Sequence, residues 1–468
     1  MRLIDRTWDE EIVPLLADYV RIPAKSPDFD PDWAAHGYID QAVAMFVAWA
    51  KTKLAAVAGA SVEIVRLDER TPLIFIDIPG EGAGTILLYG HLDKQPEMTG
   101  WSEGLGPWQP VIRDGKLYGR GCADDGYAMF GAITALLALK QEGKPHPRCA
   151  IMIEACEESG SPDLPHYVEA LADRLGEVFL VVCLDSGAGD YDRLWLTTSL
   201  RGLFSGTLSV SGMANGLHSG DASGVAPSSF DGLRVLLNRV EDPQTGKVRV
   251  DDLHVPIPEA RVKQAGAAAE ILGAALVKRF GLHAGVRPLS DQPRELVLNR
   301  TWRPTMVTIG FAGLPDPKGA GNVLEPGVAA KLSFRLPPTL DAGSAAAAVK
   351  QVLEQDPPHG LRVKFEIGDA ATGWDAPAMA PWLERSIAAA SQAEFGAPPG
   401  YMGEGGSIPF MGMLGARYPK AQFVITGVLG PGSNAHGPDE FLHIPFAKKL
   451  TAAIARIISD AHAAPRDE

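Results

Sequence analysis

Thr85-Ile86-Leu87-Leu88-Tyr89-Gly90-His91-Leu92-Asp93 is a strand-like apolar run that ends in His-x-Asp, two residue types that bind metals. The pattern around it fixes the fold. Downstream, helical spacing over 125–140, an apolar run at 148–154, helical spacing over 164–175 and a run at 178–184 alternate in turn. Strands alternating with helices predict an α/β fold: a mostly parallel sheet with helices on both faces. Upstream, helical spacing over Asp9–Val20 and Tyr38–Ala56 precedes two short strand-like runs, Val62–Arg66 and Leu73–Ile78.

The texture changes between about 199 and 374. Alternating β patterns at Leu203–Val210, Thr305–Phe311, Val328–Leu336 and Leu361–Ile367 flank helical stretches at 227–240 and 341–354. Strand, helix, two strands, helix, strand is the ferredoxin-like order. The polar stretch Glu241–Arg303 interrupts it as a long insertion. From Pro381 the first texture returns, with helical spacing over 381–395 and 446–462 around a strand at 421–427. The sheet domain is therefore expected over 1–198 and 375–468, split by an inserted α+β domain over 199–374.

Four more segments end as the first one does. Leu117-Tyr118-Gly119-Arg120-Gly121-Cys122-Ala123-Asp124-Asp125-Gly126 places two carboxylates after a Gly-rich turn and before a helical pattern. Glu157 and Glu158 follow the run Ile151–Ala155, and Asp185 follows Val181–Leu184. Far downstream, Gly432-Ser433-Asn434-Ala435-His436-Gly437 supplies another imidazole. Singly, each has an ordinary structural role: a half-buried histidine, a helix N-cap, a solvated Glu-Glu loop. Together they fall where open α/β sheets bind ligands, outside the carboxyl ends of strands. Two His and several carboxylates, with no Cys in a ligand-like pair, suit two divalent ions bridged by a carboxylate. Asp93 is placed to orient the His91 imidazole. One of Glu157 and Glu158 can coordinate while its neighbour holds a water.

The formal net charge of −14 over 468 residues argues against nucleic acid or an anionic membrane as partner. No run approaches the ~18 apolar residues of a membrane span, and the N-terminus lacks a signal-peptide core. A cytoplasmic location is expected. Cys122, Cys149, Cys156 and Cys183 sit in or beside apolar strands and read as core thiols, with no disulfide framework.

These motifs resemble the dinuclear zinc peptidase family that includes aminoacylase, carnosinase and related cytosolic dipeptidases, carboxypeptidase G and succinyl-diaminopimelate desuccinylase. The resemblance covers nearly the whole chain. It implies two zinc ions per subunit, with cobalt or manganese as substitutes, and His91 and Asp185 on different ions. Asp124 would bridge the ions, Glu158 and His436 would complete the shell, Glu157 would be the general base and Asp93 the orienting carboxylate. A cis peptide at Asp124-Asp125 is implied too. In the inserted domain Gly216-Leu217-His218-Ser219-Gly220 resembles the family's lid histidine, which polarises the scissile carbonyl and in dimers reaches the partner's site. Asn322-Val323-Leu324-Glu325-Pro326, followed by Leu332–Leu336, resembles the segment whose Arg, here Arg335, clamps a substrate carboxylate. Glu404-Gly405-Gly406-Ser407 resembles a substrate-binding loop, which makes Gly406 and Ser407 candidates.

There are departures. Many relatives carry Lys after the paired Asp, where this chain has Gly126, and the dipeptidases often carry Arg before the Glu-Gly-Gly-Ser loop, where this chain has Gly403. The implied activity is hydrolysis of an amide or peptide bond in a small substrate with a free carboxylate, as by a dipeptidase or carboxypeptidase, in a homodimer joined through the inserted domain. Deacylation of an N-acyl amino acid uses the same chemistry and stays open. A scaffold that keeps the metals without turnover is a reading of a different class, against which Glu157 and His218 argue.

Overall fold

The computed structural model describes residues 2–406 and 409–465. The chain divides into two compact units, one comprising Met1–Thr197, Ala376–Tyr401 and Met413–Glu468, the other Thr198–Asp375 and Met402–Gly412. The segment Met402–Gly412, which the sequence pattern leaves with the sheet domain, groups with the inserted unit.

In the first unit the six-stranded sheet runs Ser61–Val65, Leu73–Ile78, Arg148–Glu154, Thr85–His91, Val178–Cys183, Gln422–Ile425. The last four are mutually parallel, and the first two form an antiparallel extension. Every residue of Thr85–His91 is buried. Since successive side chains of a strand point to opposite faces, complete burial requires cover on both, the condition a parallel sheet with crossover helices provides. The helix Ala128–Glu142 packs on this strand and on the terminal helix Ile444–Asp460. All four cysteines are buried free thiols.

The second unit shows the other periodicity. Gly202–Ser211 alternates buried and half-buried residues along its length, and Gly327–Leu336 buries every second residue. One face is core, built by Phe204, Leu208, Leu332, Phe334 and Phe365 against the helices Ser229–Val240 and Ala342–Glu354. The strand order is Thr305–Ala312, Gly327–Leu336, Gly202–Ser211, Arg362–Ala371, antiparallel throughout. That is the arrangement a ferredoxin-like order produces. The stretch Glu241–Arg303 is not irregular: it forms a short hairpin and the packed helices Glu259–Leu272 and Pro293–Thr301. Among the described residues no helix is long and apolar enough to cross a membrane.

Candidate metal centre

Three adjacent parallel strands deliver the first set of side chains. Register places His91 opposite Glu154 and Tyr89 opposite Cys183. The residues just past those ends, Glu157 and Glu158 on a single 3-10 turn and Asp185 in the next loop, therefore converge on His91. His91, Glu157 and Asp185 can each offer a ligand atom within 4.8 Å of the others, and so can His91, Asp124 and Glu158.

Asp124 and His436 meet because a small sheet carries them together. Phe441–His443 pairs antiparallel with Lys116–Tyr118, so the chain after His436 lies against the chain before Asp124. A buried ion pair fastens the two loops: Arg120 Nη1 to Glu440 Oε2 at 2.7 Å, while Glu440 Oε1 accepts from the backbone N–H of Gly121 at 2.9 Å and of Ala123 at 3.3 Å. Arg120 Nη2 also donates to Gly437 O at 2.8 Å. The peptide Asp124-Asp125 is cis, as the resemblance implies, and His436 holds a left-handed φ of 63°.

Asp124 stands between the imidazoles, with Oδ1 at 3.3 Å from His91 Nε2 and Oδ2 at 3.1 Å from His436 Nε2. Glu158 Oε2 lies 3.2 Å from His436 Nε2, and Asp185 Oδ2 lies 3.9 Å from His91 Nε2. Asp185 thus lies beside His91 and Glu158 beside His436, with Asp124 between the two imidazoles. His91 Nδ1 faces the Asp93 carbonyl at 3.1 Å. A carbonyl only accepts, so Nδ1 carries a proton and Nε2 faces the site. The Asp93 carboxylate accepts from the backbone N–H of Glu157 at 3.1 Å and of Glu158 at 3.0 Å, and so holds the Glu-Glu turn as well as the histidine.

Burial and crowding set the charges. Burial pushes the Asp185 carboxyl up to about 7. It also raises Glu157 well above the ordinary range, helped by the nearby Asp185. Burial works against protonation of His436, but Asp124 and Glu158 outweigh it and push the imidazole up to about 11. His91 is raised in the same way by Asp124 and Asp93. Burial would raise Asp124, yet hydrogen bonds with the two imidazoles hold it well below the usual carboxylate range. Without a cation, such a cluster keeps its carboxylates together only by holding protons; divalent ions would displace them. Two imidazoles and four carboxylates, with no thiolate, form a donor set that fits hard to borderline divalent metals.

Several residues that serve this site are absent from the sequence-based set. Gln95 Nε2 donates to Glu158 Oε2 at 2.6 Å, and Asp125 Oδ2 accepts from His91 N–H at 3.3 Å. Lys94, fully buried, ties the chain beyond Asp93 to the carbonyls of Tyr19 and Ile22 at 2.7 and 2.8 Å. Arg120 and Glu440 complete the list, and the only signal for them is their place beside Gly-rich turns. Gly126 has no room for a side chain, since a Cβ there would lie 2.4 Å from Tyr19 Cε1. Gly403 is likewise closed, with Ser199 Oγ 2.5 Å from its Cβ position.

In the second unit His218 and Asn322 come together: His218 pairs with Val323 across a two-residue ladder, and Ser219 N–H donates to Asn322 O at 2.9 Å. His218 Nδ1 accepts from Gly220 N–H at 3.2 Å, which leaves the exposed Nε2 as the protonated, donating nitrogen. Arg335 is half-buried on the strand Gly327–Leu336, and Gly406 is exposed. Ser407 lies outside the described residues.

Comparison with known proteins supplies independent findings. Residues 87–460 match the model of peptidase family M20/M25/M40. A cysteinylglycine-S-conjugate dipeptidase of Corynebacterium striatum is 26% identical over 400 residues, covering 84% of each chain. The human Beta-Ala-His dipeptidase is 26% identical over 376 residues, 73% of this chain and 68% of its own. The solved dipeptidase Dug1p from Saccharomyces cerevisiae has the same fold, with a TM-score of 0.77 over 99% of this chain and 98% of that one at 22% identity.

Proposed function

This chain belongs to peptidase family M20/M25/M40, a family of metal-dependent hydrolases, and from that premise we propose that it is a two-zinc dipeptidase acting on small peptides with a free carboxylate. One observation carries the reading. Asp124 lies between two imidazoles, each with a further carboxylate beside it, where five loop ends far apart in sequence meet. His91, Asp185 and Asp124 would hold one ion, and Asp124, Glu158 and His436 the other. When bound, such ions supply Lewis acidity to water and to the scissile carbonyl.

Glu157 is the general base. Its carboxyl is buried and raised, which suits proton transfer near neutral pH. It takes a proton from the attacking water and returns it to the departing amine. Asp93 keeps Glu157, Glu158 and His91 in register through three contacts. His218 Nε2–H donates to the carbonyl oxygen as it gains charge. Arg335 holds the substrate carboxylate in its planar fork, with Asn322, Gly406 and Ser407 as further contacts. A homodimer through the inserted unit is supported by its edge strand Thr305–Ala312, beyond which no further strand pairs among the described residues and which exposes Val307, Ile309 and Phe311 at 55%, 57% and 47%. An unpaired apolar edge of this kind calls for a cover. The location is cytoplasmic on this reading.

The test is hydrolysis of a panel of dipeptides and N-acyl amino acids by metal-analysed enzyme and two variants. Dipeptide turnover that is lost on chelation and restored by zinc is expected. Glu157→Gln should keep two metals and lose ~10²–10⁴-fold in turnover, whereas Glu158→Gln should lose metal. Turnover surviving complete chelation, or the reverse pattern in the two variants, overturns the assignment. Activity confined to N-acyl amino acids would make the protein a deacylase.

A further inference from the structure

The second unit buries more positive charge than it pairs. Arg201 is only 8% exposed and forms no ion pair among the described residues. Its guanidinium makes long bonds to neutral acceptors: Nε to Gly405 O at 3.4 Å, Nη1 to Asn299 O at 3.4 Å and to Thr305 Oγ1 at 3.3 Å. Thr305 lies directly opposite Arg335 in the neighbouring strand, so their side chains share one face of the sheet at close range. Arg335 also has no ion pair among the described residues. From the other side comes Arg300. Its Cγ and Arg201 Nη2 each lie 3.5 Å from the Cβ position of Gly405. Arg300 Nη2 donates to Glu404 Oε2 at 2.9 Å, while its Nη1 is buried with no partner among the described residues.

Three guanidinium groups therefore surround Gly405 and Thr305, and among the described residues one carboxylate, Glu404 on Arg300, stands with them. Other arginines of this unit have acids of their own, among them Arg261 with Asp375, Arg303 with Glu295 and Arg234 with Asp231. Burial, then the charges of Arg335 and Arg300, pulls the Arg201 guanidinium down to about 9, so Arg201 stands buried between two cations that repel it. Desolvated cations persist where an anion completes them. One carboxylate would leave a guanidinium uncompensated; two would satisfy the set.

We propose that Arg201, Arg300 and Arg335 form a receptor for a dicarboxylate, which makes the preferred substrates those whose free α-carboxylate is accompanied by an acidic side chain on the same residue. The proposal rests on the reading that Arg335 holds the substrate carboxylate. It adds that Arg300, from the helix Pro293–Thr301, and Arg201 take the second one.

Two measurements test it, one of which needs no turnover. In kinetics with the zinc-loaded enzyme, Ala-Glu should exceed the isosteric Ala-Gln by roughly 10–100-fold in kcat/KM, the worth of one charge-assisted hydrogen-bonded contact. Arg300→Gln should bring that ratio to within about 3-fold, and Arg300→Lys should restore part of it. In calorimetric titration, glutarate should bind more tightly than its half-amide, and Arg300→Gln should abolish the difference. Dipeptide hydrolysis with no preference for Ala-Glu, or a preference untouched in Arg300→Gln, overturns the inference and leaves the hydrolase reading intact. If nothing in the panel is hydrolysed, the hydrolase reading fails and the glutarate titration alone decides. Inorganic phosphate binding in an Arg300-dependent way, more tightly than glutarate, would assign the site to phosphate and refute the dicarboxylate.

Discussion

Glu440→Gln is the substitution whose consequences follow most directly from the geometry of the first unit. Glu440 is fully buried, with Oε2 on Arg120 and Oε1 on the N–H groups of Gly121 and Ala123. An amide of the same shape has one oxygen for two demands. Turned toward the backbone it leaves the Arg120 cation facing an NH₂; turned toward Arg120 it sets that NH₂ against two N–H donors. Breaking a buried pair from one side costs about 3–5 kcal/mol, because the remaining charge stays desolvated. With unfolding entropy near 2.1 cal/mol/K per residue over the unit's roughly 280 residues, that is a Tm loss of ~5–8 °C. The same bonds position the turn that leads into Asp124, so metal affinity should fall ~10–100-fold, the range seen when a supporting partner of a ligand is removed. Calorimetric melting of the metal-free protein and zinc competition against a chelator measure the two effects. Arg120→Met combined with Glu440→Gln removes the orphaned charge and should melt above Glu440→Gln alone. A single variant within ~1 °C of the parent, or a double variant whose losses simply add, would refute the claim that the desolvated Arg120 cation dominates the cost.

Metal uptake should release protons. The pKa values of His91 and His436 are raised in the metal-free cluster, the latter to about 11, so both imidazoles are charged near pH 7 and must lose a proton to ligate. Apparent affinity should therefore rise with pH across the neutral range, and calorimetry in buffers of different ionisation enthalpy should count at least about two protons for a fully loaded site; a pH-independent affinity would contradict the charge assignment. His218→Ala should spare metal content and cost ~10²–10³-fold in turnover as the loss of one oxyanion donor. If His218 serves the partner's substrate, exchanging subunits between inactive His218→Ala and inactive Glu157→Gln should restore activity, because one site in such a heterodimer keeps both groups; demonstrated heterodimers without activity would confine His218 to its own chain.

The candidate metal ligands are legible because each closes an apolar run or a Gly-rich turn, and a strand's end is visible one-dimensionally. Their partition is not. Which side of Asp124 a ligand serves depends on the register among Arg148–Glu154, Thr85–His91 and Val178–Cys183, and period-2 patterns are silent about register when every position is buried on both faces. The approach of Asp185 Oδ2 to within 3.9 Å of His91 Nε2 is a consequence of that register. Alternation in the inserted unit, where one face is core, did carry its register-bearing pattern, and the ferredoxin-like strand order followed from it. Arg120 and Glu440 escaped notice for another cause: they lie 320 residues apart, and each alone is an ordinary charged residue beside a turn. Only the pairing of Lys116–Tyr118 with Phe441–His443 makes them neighbours. Sequence thus exposes side chains that touch a ligand at element ends, and conceals those whose work is to hold one loop against another, because the latter are defined by tertiary contact alone. Lys94 is the same case in small: one residue past Asp93 it reads as a solvated loop lysine, yet its ammonium replaces water with the carbonyls that end the first helical segment.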